Sequence, residues 1–261
     1  MRSNRGTEEG TKEEISFVKT LNKKKNLSLW NILNLDSNNH YAIHVTSHQF
    51  GEISQCKVKP KADIFISKGY VDDDLLKEKD YCLDENDLIK YNLTPVDKTG
   101  ISVKLKTSDN YQILKMTPNT FNKIFKSYEL GAGASIYSLN KNDLKKNDSV
   151  IIGWNSNWKN FKKYFNNKLK LNMELIADLD LKNSKIIKKY SLSMINKYIN
   201  ENEKIQKFIF QGLGNFKEPY TVYYLYEQDK LKNYCNIPFN ITTGSGRSRG
   251  NYTLVIKPKK H

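Results

Sequence analysis

The apolar positions along the chain change period several times, and each change marks an element. Over "KEEISFVKTLN", residues 12–22, Ile15, Val18 and Leu21 recur at helical spacing and Phe17 widens the same face, so the pattern predicts an amphipathic helix. Glu13 and Glu14 fall in its first turn, where carboxylates suit the helix dipole. "YAIHVT" at 41–46 and "ADIFI" at 62–66 are short β-rich runs and predict strands, joined by the irregular "SHQFGEISQCKVKPK". Residues 70–99 are acidic and predict a loop-like insertion. A strand follows at 101–105, then a turn at "TSDN" and a further strand or helix start at 111–116. "TPNTFNKIFKSY" predicts a helix capped by Thr117 with Pro118 at its first position and Phe121, Ile124 and Phe125 on one face.

Farther along, "SVIIGW" at 149–154 predicts a strand, 156–170 and 183–211 predict helices, and "YTVYYLYE" at 220–227 another strand. Two β-like runs near the C-terminus flank the loop "TTGSGRSRG", 242–250. No repeat, linker or composition break interrupts the series. The expectation is one α/β domain spanning 1–261, with a central mixed β-sheet, helices on both faces, and insertions at 70–99 and 242–250.

Composition changes this picture mainly through charge. The 261 residues carry 43 Lys and Arg against 28 Asp and Glu, a net charge of +15 and a pI near 9.4. A field of that sign favours a polyanion, and nucleic acid is the commonest one, although a lysine- and asparagine-rich coding bias also raises charge. Cys56, Cys82 and Cys235 are odd in number and form no CxxC pair, which points to a reducing compartment without a disulfide scaffold. The polar start "MRSNRGTEEGTKEE" has no apolar signal region, and no run reaches the roughly 18 apolar residues of a membrane helix, so a cytoplasmic protein is expected.

The candidate chemistry lies in two short strands. Asp63 opens the β-rich run in "KPKADIFI", although aspartate is depleted in strands and needs a partner there. In "GISVKLK", Ser102 and Lys104 point to one face while Val103 faces the core. Pairing the two strands brings Asp63, Ser102 and Lys104 to neighbouring strand ends, a carboxylate beside a lysine. Together these residues resemble the motif of the PD-(D/E)xK nuclease superfamily, and the overall pattern resembles a type II restriction endonuclease. The match departs from the family pattern in two ways: Ser102 stands where the second acid belongs, and 39 residues separate it from Asp63.

The resemblance implies a restriction-endonuclease-like core and Mg²⁺-dependent, sequence-specific hydrolysis of double-stranded DNA leaving 5′-phosphates. It implies Asp63 and the Val103 carbonyl as metal ligands, Lys104 as the catalytic lysine, and Ser102 as a residue behind the metal. A further carboxylate comes in many members from an N-terminal helix; Glu14 fits that place as accessory acid and metal ligand, with Glu13 and Glu52 as rivals. A homodimer on a palindromic site and a companion DNA methyltransferase belong to the same implication.

Other stretches carry candidate chemistry as well. Arg247 and Arg249 in the Gly/Ser/Arg loop suit guanine or phosphate, as Lys106 suits phosphate, against a mobile hairpin tip or a solvated strand face. The loop lacks the spacing of a nucleotide-binding P-loop, and "GLGNF" at 212–216 reads as a helix stop. His40, His44 and His48 recur every four residues, but on a strand they share a face without clustering, so a zinc site with Cys56 is disfavoured, as is a histidine-based nuclease module. The run "NWKNFKKYFNNKLK", 157–170, reads first as an amphipathic helix with Trp158, Phe161 and Phe165 inward. A non-catalytic nucleic-acid-binding protein, or a structural protein whose charge is compositional, are the alternatives from other classes.

Overall fold

The computed structural model describes residues 5–45, 61–104, 111–137, 143–234, 237–244 and 252–259. Glu52, Lys106, Arg247 and Arg249, together with Cys56, Cys235 and His48, lie outside the described residues. Contacts divide the chain into two compact units, Met1–Asp109 with Lys207–Ile237 and Asn110–Gln206 with Pro238–His261.

Unit 1 is mixed α/β. Its sheet contains β1 (His40–His44), β2 (Ile64–Lys68), β3 (Thr94–Pro95), β4 (Ile101–Val103), β6 (Tyr224–Glu227) and β7 (Lys230–Asn233), in the order β1-β2-β4-β6-β7 with β3 also on β2. The β4–β6 pair is parallel and the others antiparallel, so the sheet is mixed as expected. Side chains alternate across it. Ala42, Ile64, Ile66, Ile101 and Val103 meet Phe17, Val18 and Leu21 of α1 (Arg5–Asn22) and Leu29, Trp30 and Leu33 of α2 (Leu27–Leu33). On the opposite face Tyr41, Ile43 and Phe65 meet Leu76, Leu83, Leu88 and Leu93.

That second layer corrects the loop-like reading of 70–99. The stretch holds two short helices, α3 (Asp73–Glu78) and α4 (Glu85–Lys90), capped by Asp72 and Asp84; Asp84 and Asp87 form a reciprocal capping box. Its carboxylates satisfy helix-start N–H groups, while its sparse leucines cover the sheet.

Unit 2 is a helical layer with a three-stranded sheet, β5 (Leu114–Met116), β9 (Leu254–Pro258) and β8 (Phe239–Thr243), all antiparallel. Its helices are α5 (Pro118–Phe125), α6 (Tyr128–Ser135), α7 (Asp143–Gly153), α8 (Trp158–Leu169), α9 (Leu181–Glu201) and α10 (Glu203–Gln206). Thr117 caps α5 with Pro118 at the first turn, as the sequence predicts. The strand expected at 149–154 is instead the end of α7. Val150, Ile151 and Trp154 are buried while Ile152 is 61% exposed, a helical spacing that the run of β-formers conceals. Packing is close here: a Cβ on Gly131 of α6 would lie 2.3 Å from the Trp154 ring.

The helix expected over 183–211 ends earlier. Asn202 takes an extended conformation after α9, and beyond α10 residues Lys207–Gln211 form a π-helical turn. Gly212, with φ +79°, stops that turn, which agrees with the reading of "GLGNF". The strand predicted over 220–227 is confined to 224–227. Among the described residues no helix is long and apolar enough to cross a membrane.

Candidate functional site

Helix α1 is held against the sheet at both ends of its buried stripe. The Asn22 side chain accepts from the Ala42 N–H (2.7 Å) and donates to the Ala42 carbonyl (3.0 Å), completing the edge of β1 as a neighbouring strand would. Phe17 stacks on Tyr226 of β6 with ring centroids 3.6 Å apart. One turn before Phe17 and Val18, Glu14 therefore faces the sheet end, with 22% of its side chain exposed. Glu13 instead lines a cavity of about 270 Å³ with Ser16, Phe17, Tyr226 and Asp229.

The pairing of β2 with β4 changes at Asp63, just before Ile64, and the site forms there. The Asp63 N–H donates to the Ile101 carbonyl (2.9 Å), but the Asp63 carbonyl accepts from Val45 (2.9 Å) rather than from β4. The Asp63 carboxylate takes its place. Its Oδ2 accepts from the Val103 N–H at 2.8 Å and from Ser102 Oγ at 3.0 Å. An aspartate at the mouth of an apolar strand is thus explained: its side chain continues toward β4 the ladder that its carbonyl has left.

Lys104 follows β4, its N–H donating to the Tyr226 carbonyl at 2.9 Å. Its Nζ donates to Ser102 Oγ at 2.6 Å and stands 3.7 Å from Asp63 Oδ2. Ser102 is thus the bridge between cation and carboxylate, receiving from one and donating to the other. The Lys104 and Asp63 side chains are 19% and 27% exposed, open enough to meet a ligand.

Beside this cluster stands a pair that sequence reasoning did not find. His44 Nε2 donates to Glu14 Oε2 at 2.8 Å, and His44 is 2% exposed. The signal was present in "YAIHV": an imidazole within an apolar strand requires a buried polar partner. Burial pushes the Glu14 carboxyl above its ordinary value. The His44 hydrogen bond opposes this, the negative charge of Asp63 adds to it, and the His44 and Lys104 charges again oppose it. Glu14, Asp63 and Lys104 therefore belong to one electrostatic neighbourhood.

The structure brings together Glu14, Asp63, Ser102, Val103 and Lys104. Among the described residues, Asp63 Oδ1 and Glu14 Oε1 accept no hydrogen bond. No group of three or more His, Cys, Asp or Glu side chains able to hold a metal lies among the described residues. Two carboxylates of like charge, each with an oxygen to spare, would suit a hard, largely hydrated cation such as Mg²⁺, which is commonly held by one or two carboxylates, waters and phosphate. A cation there would offset the burial that raises Glu14 and, with it, the smaller repulsion from Asp63.

No protein-family model and no curated protein sequence matches the chain. Among solved structures it is similar to the restriction endonuclease MspI, crystallised with its cognate DNA, at 14% identity over 93% of this chain and 83% of that one, with a TM-score of 0.42. A likeness this loose assigns nothing to the chain, and the functional reading rests on the side chains.

Proposed function

We propose that the protein is a Mg²⁺-dependent endonuclease of the type II restriction kind, hydrolysing phosphodiester bonds of double-stranded DNA. The observation that carries this reading is the Asp63–Ser102–Lys104 cluster, with Glu14 in the same electrostatic neighbourhood. Asp63 and Glu14, with the Val103 carbonyl, are the residues that would hold the cation. When bound, Mg²⁺ stabilises negative charge on the phosphate and makes water more acidic.

The remaining work belongs to the chain itself. Ser102 fixes the Lys104 ammonium beside Asp63, so that its protons can be given to a non-bridging phosphate oxygen or orient the attacking water. The water oxygen bonds to phosphorus as the P–O3′ bond breaks; the 3′ oxygen gains a proton and the 5′ end keeps the phosphate. His44 holds Glu14 by one oxygen and leaves the other toward the ligand. Ser102 completes no carboxylate set; its role is to position Lys104. Lys106, Arg247 and Arg249 are proposed DNA contacts. A homodimer, a companion DNA methyltransferase and a cytoplasmic setting accompany this reading.

The test is plasmid DNA incubated with protein and Mg²⁺, with and without EDTA, beside the Asp63→Asn and Lys104→Ala variants. Discrete fragments that need Mg²⁺ and both residues support the reading. Intact plasmid across Mg²⁺ and Mn²⁺, with DNA still bound, favours a non-catalytic binding protein and overturns it.

A further inference from the structure

The positive charge of this chain is not spread over both units. Unit 1, which holds the cluster above, carries 21 Lys and Arg against 20 Asp and Glu, a net charge of +1. Unit 2 carries 22 against 8, a net charge of +14. The bases are nearly equal in the two units, so a lysine-rich coding bias does not account for where the excess lies. Unit 2 is positive because it holds few carboxylates.

Five of the eight that remain have partners of their own. Asp180 caps α9, and Asp178 accepts from the Glu174 and Leu175 N–H groups. Glu129 accepts from Ser127 and Ser156, Glu174 pairs with Lys162, and Glu201 stands 3.9 Å from Lys197. The segment Pro238–His261 has no carboxylate side chain.

Helix α9 concentrates this arrangement. Between Asp180 and Glu201 it has five lysines and no acidic residue. Ser184, Ile187, Ser191, Ile195 and Ile199 form its buried stripe. Lys182, Lys185 and Lys189 are exposed and fall within about 60° of one another on the opposite side, at 3.6 residues per turn. None of the three pairs with a carboxylate among the described residues. Lys188 differs: half-buried, it donates to the Ile136 carbonyl at 3.1 Å, and burial pushes its pKa down.

We propose that unit 2 supplies the sequence-independent hold on the DNA backbone, with Lys182, Lys185 and Lys189 on the outward face of α9 in contact with phosphates. This rests on the nuclease reading and divides its labour: near-neutral unit 1 carries the chemistry and unit 2 the electrostatic affinity. A duplex polyanion is the partner that a long, carboxylate-free lysine face fits.

The experiment measures binding of the full chain to a labelled DNA duplex by fluorescence anisotropy in EDTA, over a salt series. Each phosphate contact contributes about 0.9 to the slope of log K against log salt, so K182Q/K185Q/K189Q should flatten it by about 2 to 3 and weaken binding. A matched control, K68Q/K90Q/K230Q, removes three exposed lysines from unit 1 and should leave the slope nearly unchanged. Unfolding curves of both variants establish that the fold is kept. Equal losses in the two sets, no loss in either, or tighter binding to duplex RNA than to DNA overturn the proposal. Wild-type protein that binds steeply yet never cuts with Mg²⁺ sinks the nuclease reading instead, and the comparison of slopes then decides this one alone.

Discussion

Replacing Asp63 separates its two roles. The carboxylate continues the sheet ladder through the Val103 N–H and sits in the cluster with Lys104. In Asp63→Ala the Val103 N–H, on a residue 6% exposed, loses its acceptor. Leaving such a buried donor unpaired costs about 1 to 3 kcal/mol, or about 2 to 12 °C in Tm for a chain of this size. Ser102 loses one partner but keeps Lys104, so it adds little. Relief of the repulsion with Glu14 offsets part of the loss. In Asp63→Asn the amide oxygen still accepts from Val103, and only the charge assistance goes, about 1 kcal/mol or less. Cleavage should fall in both variants by at least about 100-fold, the scale of losing a group that acts at the reacting phosphate. Thermal unfolding by circular dichroism and a plasmid-nicking time course provide the two readouts. An alanine variant as stable as wild type would refute the ladder argument; an asparagine variant that cuts at the wild-type rate would refute the site.

Glu14→Gln should stabilise the fold at pH 7 while lowering activity. The folded carboxyl sits above its ordinary 4.5, so its ionised form opposes folding; that opposition is absent below pH 4.5 and grows as pH rises through the folded value. The Tm difference from wild type should therefore vanish in acid, and Mg²⁺ should raise the Tm of wild type more than that of the variant. Ser102→Ala should slow cleavage about tenfold or more with under about 2 kcal/mol lost in urea unfolding, because Lys104 loses its 2.6 Å anchor; wild-type rates would exclude a positioning role. Gly131→Ala should cost about 1 to 3 kcal/mol in the same assay, since the added carbon meets the Trp154 ring.

What the sequence revealed depended on how local the cause was. Helix α1, the Thr117 cap and the strands flanked by Asp63 and Lys104 are set by spacing and capping, which a single stretch displays. The pairing of Asp63 with Ser102 followed from one misplaced aspartate and a period-2 strand. The Glu14–His44 bond joins residues 30 positions apart and could be read only as an imidazole lacking a partner. At 149–154 β-rich composition hid a helix whose period emerges only when residues from 143 onward are included. At 70–99 charge suggested a loop, because aspartates that cap helices look like aspartates that solvate one. The division into two units left no mark in hydropathy, although it is plain in the carboxylate count.

Tyr226 ties the two halves of the cluster to a single point. Its ring receives Phe17, and with it the helix carrying Glu14; its carbonyl receives the Lys104 N–H. The acid on the helix and the lysine on the strand thus share one register mark, so a change at this position would shift both together. Altering the spacing between cation ligand and ammonium requires moving α1 or β4 relative to that tyrosine, and the chain offers no simple way to retune one without disturbing the other.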